Sequence, residues 1–128
     1  MPEPSERTDP LDGVKVGMTG RQQEDLTVGG QVEGMPLVSG TPMMIMLMEN
    51  VPGRAVAAHL PPTWATVGSQ VNIRHLAPTP VGRTVTSTAE VVEVQGRSVL
   101  FAVEAHDGDR KIGEGVHRRG GVDPECFA

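Results

Sequence analysis

The chain has 128 residues, a length that suits one domain with a single modest core. Its formal charge of −5 argues against nucleic acid binding, since phosphate contacts require clustered Lys and Arg. The single cysteine, Cys126, excludes an intrachain disulfide framework and is typical of a reducing compartment. The polar N-terminus and the absence of an apolar run of roughly 18 residues predict neither a signal peptide nor a membrane span, so we expect a cytoplasmic protein without membrane or nucleic acid partners.

The N-terminal segment is weakly patterned. Residues 1–12 are polar and rich in proline, which predicts a flexible N-terminal arm before a domain over residues 13–122, with residues 123–128 as a C-terminal tail. Val14 to Met18 and Arg21 to Val28 predict a first strand or hairpin, and a glycine-containing loop follows.

One strongly apolar helix is predicted from about Pro42. Six consecutive apolar residues, Met43 to Met48, cover every face of a helix, so we expect it to be buried all round as core. Thr41 stands at the expected N-cap, with Pro42 at the first helical position. Glu49 ends the run, and a carboxylate there should be partnered, protonated or functional. Pro52 predicts a kink or an early end of the helix.

From Trp64 onward the periodicity changes from helical to two. One face of the first strand is mostly apolar and the opposite face is formed by the alternate residues. The first set is Val67, Ser69, Val71, Ile73 and His75, and the second is Gly68, Gln70, Asn72 and Arg74.

Three further strands are predicted, over Arg83 to Val94, Ser98 to His106 and Arg110 to Arg119, with turns at Gln95-Gly96-Arg97 and Asp107-Gly108-Asp109. The simplest packing wraps one antiparallel sheet around one long central helix, an α+β architecture known as the hotdog fold. Because such a sheet has edge strands that need partners, we expect a homodimer with any pocket near the subunit boundary.

Several segments resemble the fluoroacetyl-CoA thioesterase family of hotdog proteins, over roughly residues 13–122. The similar segments are residues 41–49, 67–69, 74–86, 105–108 and 112–119. Their order and spacing agree with the family, although no single motif is decisive. The resemblance implies an acyl-CoA or acyl-carrier thioesterase that acts on a small acyl group and needs no metal or organic cofactor beyond the coenzyme A of its substrate.

The resemblance also implies a catalytic set of Thr41, Glu49 and His75. By the same comparison Gly68 helps to hold the thioester carbonyl, and Arg119 corresponds to a family arginine that we assign to substrate binding. Thioester hydrolysis needs a nucleophile or activated water, a base and donors for the oxyanion. The sequence leaves open whether Glu49 is base or nucleophile and whether Thr41 attacks.

Geometry adds a constraint. Eight helical residues rise about 12 Å, too far for Thr41 and Glu49 of one helix to touch. Either the substrate spans this gap or one of the two residues comes from a neighbouring subunit.

One departure from the family concerns the lid before the helix. By ungapped alignment with the family, Val32 and Met35 occupy the positions of lid phenylalanines, so the resemblance implies that they bind substrate. The missing aromatic rings argue against fluoroacetyl-CoA as the natural substrate.

Alternative interpretations stay open. A non-catalytic hotdog module would use Glu49 and His75 only to hold a polar ligand, and a hotdog hydratase is less favoured because its usual Asp/His arrangement is not evident. His59, His106 and His117 are scattered and expected at the surface or in turns, without the spacing of a metal site.

Overall fold

The computed structural model describes residues 10–25 and 40–127. Its elements are β1 (Thr19–Asp25), α1 (Thr41–Ala57), β2 (Ala65–His75), β3 (Thr84–Gln95), β4 (Ser98–Asp107), β5 (Arg110–Val122) and a short 3-10 helix (Pro124–Phe127). The strands form one antiparallel sheet in the order β1-β3-β4-β5-β2, and α1 contacts all five of them. The predicted α+β architecture of one sheet around one long helix is confirmed.

The turns between β3, β4 and β5 lie where the sequence predicts them. Gly96 and Gly108 have φ angles of +59° and +60°, a backbone conformation that glycine adopts at no steric cost. These tight hairpins fix the antiparallel registers of the three central strands.

The start of α1 differs from the prediction by one residue. Gly40 is the N-cap, and no side chain caps the helix. Thr41 and Pro42 occupy the first two helical positions, where a missing N–H costs nothing because it has no intrahelical partner. The Thr41 hydroxyl is therefore not engaged at the helix N-terminus and is available for another contact.

Only one face of α1 is buried, so the prediction of a helix buried all round is wrong for the single chain. Met44, Leu47, Met48 and Val51 follow helical spacing and face the sheet. Met46 points away and is 57% exposed. The helix also continues through Pro52 to Ala57 instead of ending early. None of the helices in the described ranges has the length and hydropathy of a membrane-spanning segment.

The core begins earlier in the chain than expected. Leu11, which the sequence places in the flexible arm, is 1% exposed and packs in the same cluster as Phe101, Val91 and Met48. Val14 to Met18 forms turns and not a strand, and the strand that follows begins at Thr19. Residues 1–9 of the arm and residues 26–28 of the predicted first strand lie outside the described residues.

β2 is an edge strand with an irregular middle. Its register against β5 shifts between Gly68 and Gln70, because Ser69 is an extra residue in a β-bulge. The bulge interrupts the predicted alternation, so Gly68 and Val71 both face α1. The strand is mostly exposed, including Val71 at 40% and Val67 at 49%.

Candidate active site

A hydroxyl–imidazole pair joins the start of α1 to the end of β2. Thr41 Oγ1 lies 2.9 Å from Nδ1 of His75. With the imidazole proton on Nε2, the Thr41 hydroxyl donates to Nδ1, a geometry that a hydroxyl nucleophile and its base would need. The structure therefore brings together two of the three residues of the predicted catalytic set.

The third residue, Glu49, lies on the same helix but against the other end of β2. A Cβ atom added at Gly68 would lie 3.6 Å from Oε1 of Glu49, so the backbone of the bulge comes close to this carboxylate. Glu49 lines a cavity of about 290 Å³ between the second half of α1 and the start of β2. Apolar side chains, among them Leu60 and Trp64, line the same cavity. Glu49 thus has the setting of a carboxylate that faces a ligand pocket.

A buried histidine lies beneath this bulge. His117 on β5 is fully buried, which corrects the prediction that it lies at the surface or in a turn. Its Nδ1 is 3.1 Å from the carbonyl oxygen of Gln70, and its Nε2 is 3.2 Å from Nη1 of Arg119. Cε1 of the ring would lie 3.1 Å from a Cβ atom at Gly68. The sequence gives no signal for this placement, because the register of β5 against β2 cannot be read from either strand.

Arg119 lies within the protein as a connector between three elements. Its Nε donates to Thr66 Oγ1 at 2.8 Å and its Nη2 donates to the Thr66 carbonyl at 2.7 Å. Its Nη1 donates to the Glu49 carbonyl at 3.2 Å and to His117. A guanidinium has five N–H donors, and these contacts use four of those of Arg119. The predicted substrate-binding role is left with one N–H, on the wall of the cavity that Glu49 lines.

Burial lowers the pKa of both His117 and Arg119. Desolvation lowers the pKa of His117, the positive charge of Arg119 lowers it further, and Glu49 and the Gln70 carbonyl act in the opposite direction. Burial likewise lowers the pKa of Arg119, against the stabilising charge of Glu49. Burial and the Arg119 charge therefore favour the neutral form of the His117 imidazole.

The remaining candidates are placed as follows. Val32, Met35 and the Cys126 side chain lie outside what the structure describes. His59 is exposed, and His106 lies at the end of β4 near Glu104. No group of three or more His, Cys, Asp or Glu side chains within the described ranges is arranged to hold a metal ion.

Comparison with known proteins gives the family. The model of the fluoroacetyl-CoA-specific thioesterase family FlK matches residues 22–125. The chain belongs to this family. The fluoroacetyl-CoA thioesterase of Streptantibioticus cattleyicolor is 42% identical over 72% of the chain, and the match spans 66% of that protein's length, just under two thirds.

Solved structures agree with this fluoroacetyl-CoA thioesterase family assignment. A variant of FlK in complex with fluoroacetate and CoA has a TM-score of 0.81 and 34% identity, covering 90% of this chain and all of that one. A hot-dog-like protein from Thermanaerovibrio acidaminovorans has a TM-score of 0.83 over 94% of this chain and 92% of its own, and at 22% identity it supports the fold alone. The family and fold predicted from the sequence are both confirmed.

Proposed function

We propose that this protein hydrolyses the thioester of a small acyl-CoA, using Thr41, Glu49 and His75. The observation that carries the proposal is the 2.9 Å contact between Thr41 Oγ1 and His75 Nδ1, together with a carboxylate that lines a cavity further along the same helix. Family membership supports the reaction class. The proposed chemistry uses side chains and backbone donors alone, without a metal or organic cofactor, and the proposed location is the cytoplasm.

The complete site is proposed to form between two copies of the chain. Within one copy about 12 Å of helix separates Thr41 from Glu49, so the two ends of α1 cannot contact the same thioester carbon. Among the described strands β2 lies at one edge of the sheet, where antiparallel pairing with a second β2 is possible, and its exposed Val67 and Val71 favour such an interface. A homodimer would bring opposite ends of two helices together.

Two-fold symmetry constrains the register of this pairing once the axis is placed, and we place it near Val71. A two-fold axis pairs each residue of β2 with one at equal distance on the other side of the axis. With the axis near Val71, Gly68 of one copy lies within about two residues of His75 of the second copy. The Glu49 and Gly68 of one subunit then face the Thr41 and His75 of the other across one crevice.

In this arrangement the Thr41–His75 pair of one subunit and Glu49 of the other have different tasks. His75 takes the proton of the Thr41 hydroxyl or of a water molecule, and later returns a proton to the leaving thiolate. The helix N-terminus and the β-bulge offer backbone N–H groups for the developing oxyanion. Glu49 either attacks the carbonyl carbon or activates the water that releases the acid, and trapping of an acyl-enzyme on Thr41 or on Glu49 distinguishes these routes.

Turnover is tested with a panel of acyl-CoAs, following the released thiol with a chromogenic disulfide. Glu49→Gln and His75→Ala are expected to abolish hydrolysis, since each removes a group that transfers a proton or bonds to the carbonyl. Tight acyl-CoA binding without thiol release in the wild type would instead identify a binding module. A change in enoyl-CoA absorbance without thiol release would identify a hydratase.

Mixing inactive variants tests the shared site. Random re-association of Glu49→Gln and His75→Ala chains gives heterodimers in half of the molecules, each with one intact site of two, so about a quarter of wild-type activity returns. The control is the mixture of Glu49→Gln with a chain that carries both substitutions, which has no intact site. Activity that stays at zero in the first mixture would show that Glu49 and His75 of one chain serve the same site.

A further inference from the structure

We propose that His117 is a positioning residue that holds the Glu49 half of the site in its working geometry, an inference that rests on the proposed function. The imidazole lies between the bulge of β2 and Arg119, and it contacts both through its two ring nitrogens. It has no place in the catalytic set suggested by the family resemblance.

The partners of the ring fix its tautomer. The Gln70 carbonyl can only accept, so Nδ1 must carry the proton that is donated to it over 3.1 Å. The guanidinium of Arg119 can only donate, so Nε2 must be the unprotonated acceptor at 3.2 Å. A neutral imidazole with its proton on Nδ1 is the only form that satisfies both contacts.

The first contact controls the backbone of the bulge. Ser69 is the extra residue, and the Gly68–Gln70 segment departs from regular pairing with β5. The imidazole holds the carbonyl of Gln70 from the interior, and its Cε1 fills the space beneath Gly68. The ring therefore sets the height of the backbone that lies closest to the Glu49 carboxylate.

The second contact controls the helix. Hydrogen bonds to His117 and Thr66 orient the Arg119 guanidinium. Its Nη1, which donates to His117, also donates to the carbonyl of Glu49. The chain of contacts from β2 through His117 and Arg119 to α1 fixes the spacing between the bulge and the residue that carries the carboxylate. Both sides of this half-site depend on one buried ring.

Graded substitutions separate positioning from simple core packing. His117→Asn keeps a donor near the Nδ1 position, His117→Gln keeps an acceptor near the Nε2 position, and His117→Phe keeps the volume and loses both. We expect kcat to fall about 100-fold in His117→Phe, with partial recovery in the other two and KM nearly unchanged, because misplacement by about 1 Å has such an effect. The control is Val85→Ala, a core substitution on β3, which should lower stability and leave kcat per folded molecule unchanged.

Nuclear magnetic resonance of the wild type tests the tautomer without reference to turnover. The expected result is a protonated Nδ1, an unprotonated Nε2, and changes of the Gly68 to Gln70 amide signals in His117→Phe that are smaller in His117→Asn, which keeps the donor to Gln70. A charged ring, a proton on Nε2, or full kcat in all three variants would overturn the proposal. If the wild type hydrolyses no acyl-CoA, the proposed function fails, while the tautomer and the amide signals still decide whether His117 orders the bulge.

Discussion

Gly68 is the residue on which the two sides of the Glu49 half-site converge. Its missing side chain leaves room for the imidazole of His117 on one side and for the carboxylate of Glu49 on the other. A glycine in a strand often marks such a bulge or a close approach of another group. The site therefore depends on the absence of one Cβ atom.

Gly68→Ala is expected to lower kcat/KM by at least about tenfold, because the new methyl group displaces the ring or the carboxylate. The free energy of unfolding should fall by about 1–3 kcal/mol from overpacking. Chemical denaturation and the thiol-release assay measure the two effects. The matched control is Gly120→Ala on neighbouring β5, where a Cβ atom meets nothing within 4 Å, and a loss of similar size there would contradict this explanation.

The buried His117 predicts a pH dependence of stability. Its pKa in the folded protein is lowered below the ordinary value of 6.5, so the unfolded chain binds the proton more readily. The stabilising contribution is present above pH 6.5 and is lost as the pH falls below it towards the folded pKa. Unfolding curves from pH 8 to pH 5 should show this loss in the wild type and a flatter profile in His117→Phe; equal slopes would contradict the assignment.

At this scale the sequence could predict residue types but not their partners. The family resemblance indicates Thr41 and His75, and the structure brings them into contact. His117 and Arg119 are two positions apart on one strand, and only the register against β2 shows that they meet the bulge and Thr66. Long-range pairing of strands is not encoded in the local pattern.

Among the elements, α1 contains an unusual proline. Pro52 lies in the helix interior and is buried, although it cannot donate a hydrogen bond to the carbonyl of Met48. The helix persists because its apolar face packs against the sheet, which outweighs the local cost of the proline. Local preference alone predicts a kink or a break here, and the break does not occur because tertiary packing outweighs that preference.

Pro52→Ala is expected to raise the free energy of unfolding by about 1.5 kcal/mol. An interior proline costs about 3 kcal/mol relative to alanine, whereas the smaller side chain loses roughly 1.5 kcal/mol of apolar burial. Urea denaturation at one fixed protein concentration measures the difference. Pro42→Ala in the first helical turn is the control and should change stability by only a few tenths of a kcal/mol, since no hydrogen bond is regained there. A less stable Pro52→Ala would show that ring packing dominates.

At the scale of the whole molecule, the main feature is the position of β2 at the edge of the sheet that the described strands form. The alternation in the sequence predicts one mostly apolar face for this strand, but the bulge and the edge position leave the strand mostly exposed. The helix face that carries Met46 is exposed as well. The sequence therefore contains more apolar residues in these two elements than the core of one chain buries. A sequence pattern alone cannot tell which of these residues belong to the core and which to an interface.

Val71→Asp is expected to convert the proposed dimer to monomers and to abolish turnover, since a carboxylate at a desolvated interface costs several kcal/mol. Sedimentation velocity and the thiol-release assay report the two effects on one sample. Val16→Asp, at an exposed turn outside the sheet, is the matched control and should remain dimeric and active. A fully active monomer would contradict a site shared between copies.

The continuity of α1 through Pro52 has a consequence for cooperativity. In the proposed dimer each α1 helix contributes its first turn to one crevice and its third turn to the other. The same continuous helix is therefore shared by two reaction centres. A ligand that tilts the helix at one crevice changes the position of the helix residues at the other crevice. Successive acyl-CoA molecules should then bind with unequal affinities, which calorimetric titration of the inactive Glu49→Gln protein would resolve as two distinct steps.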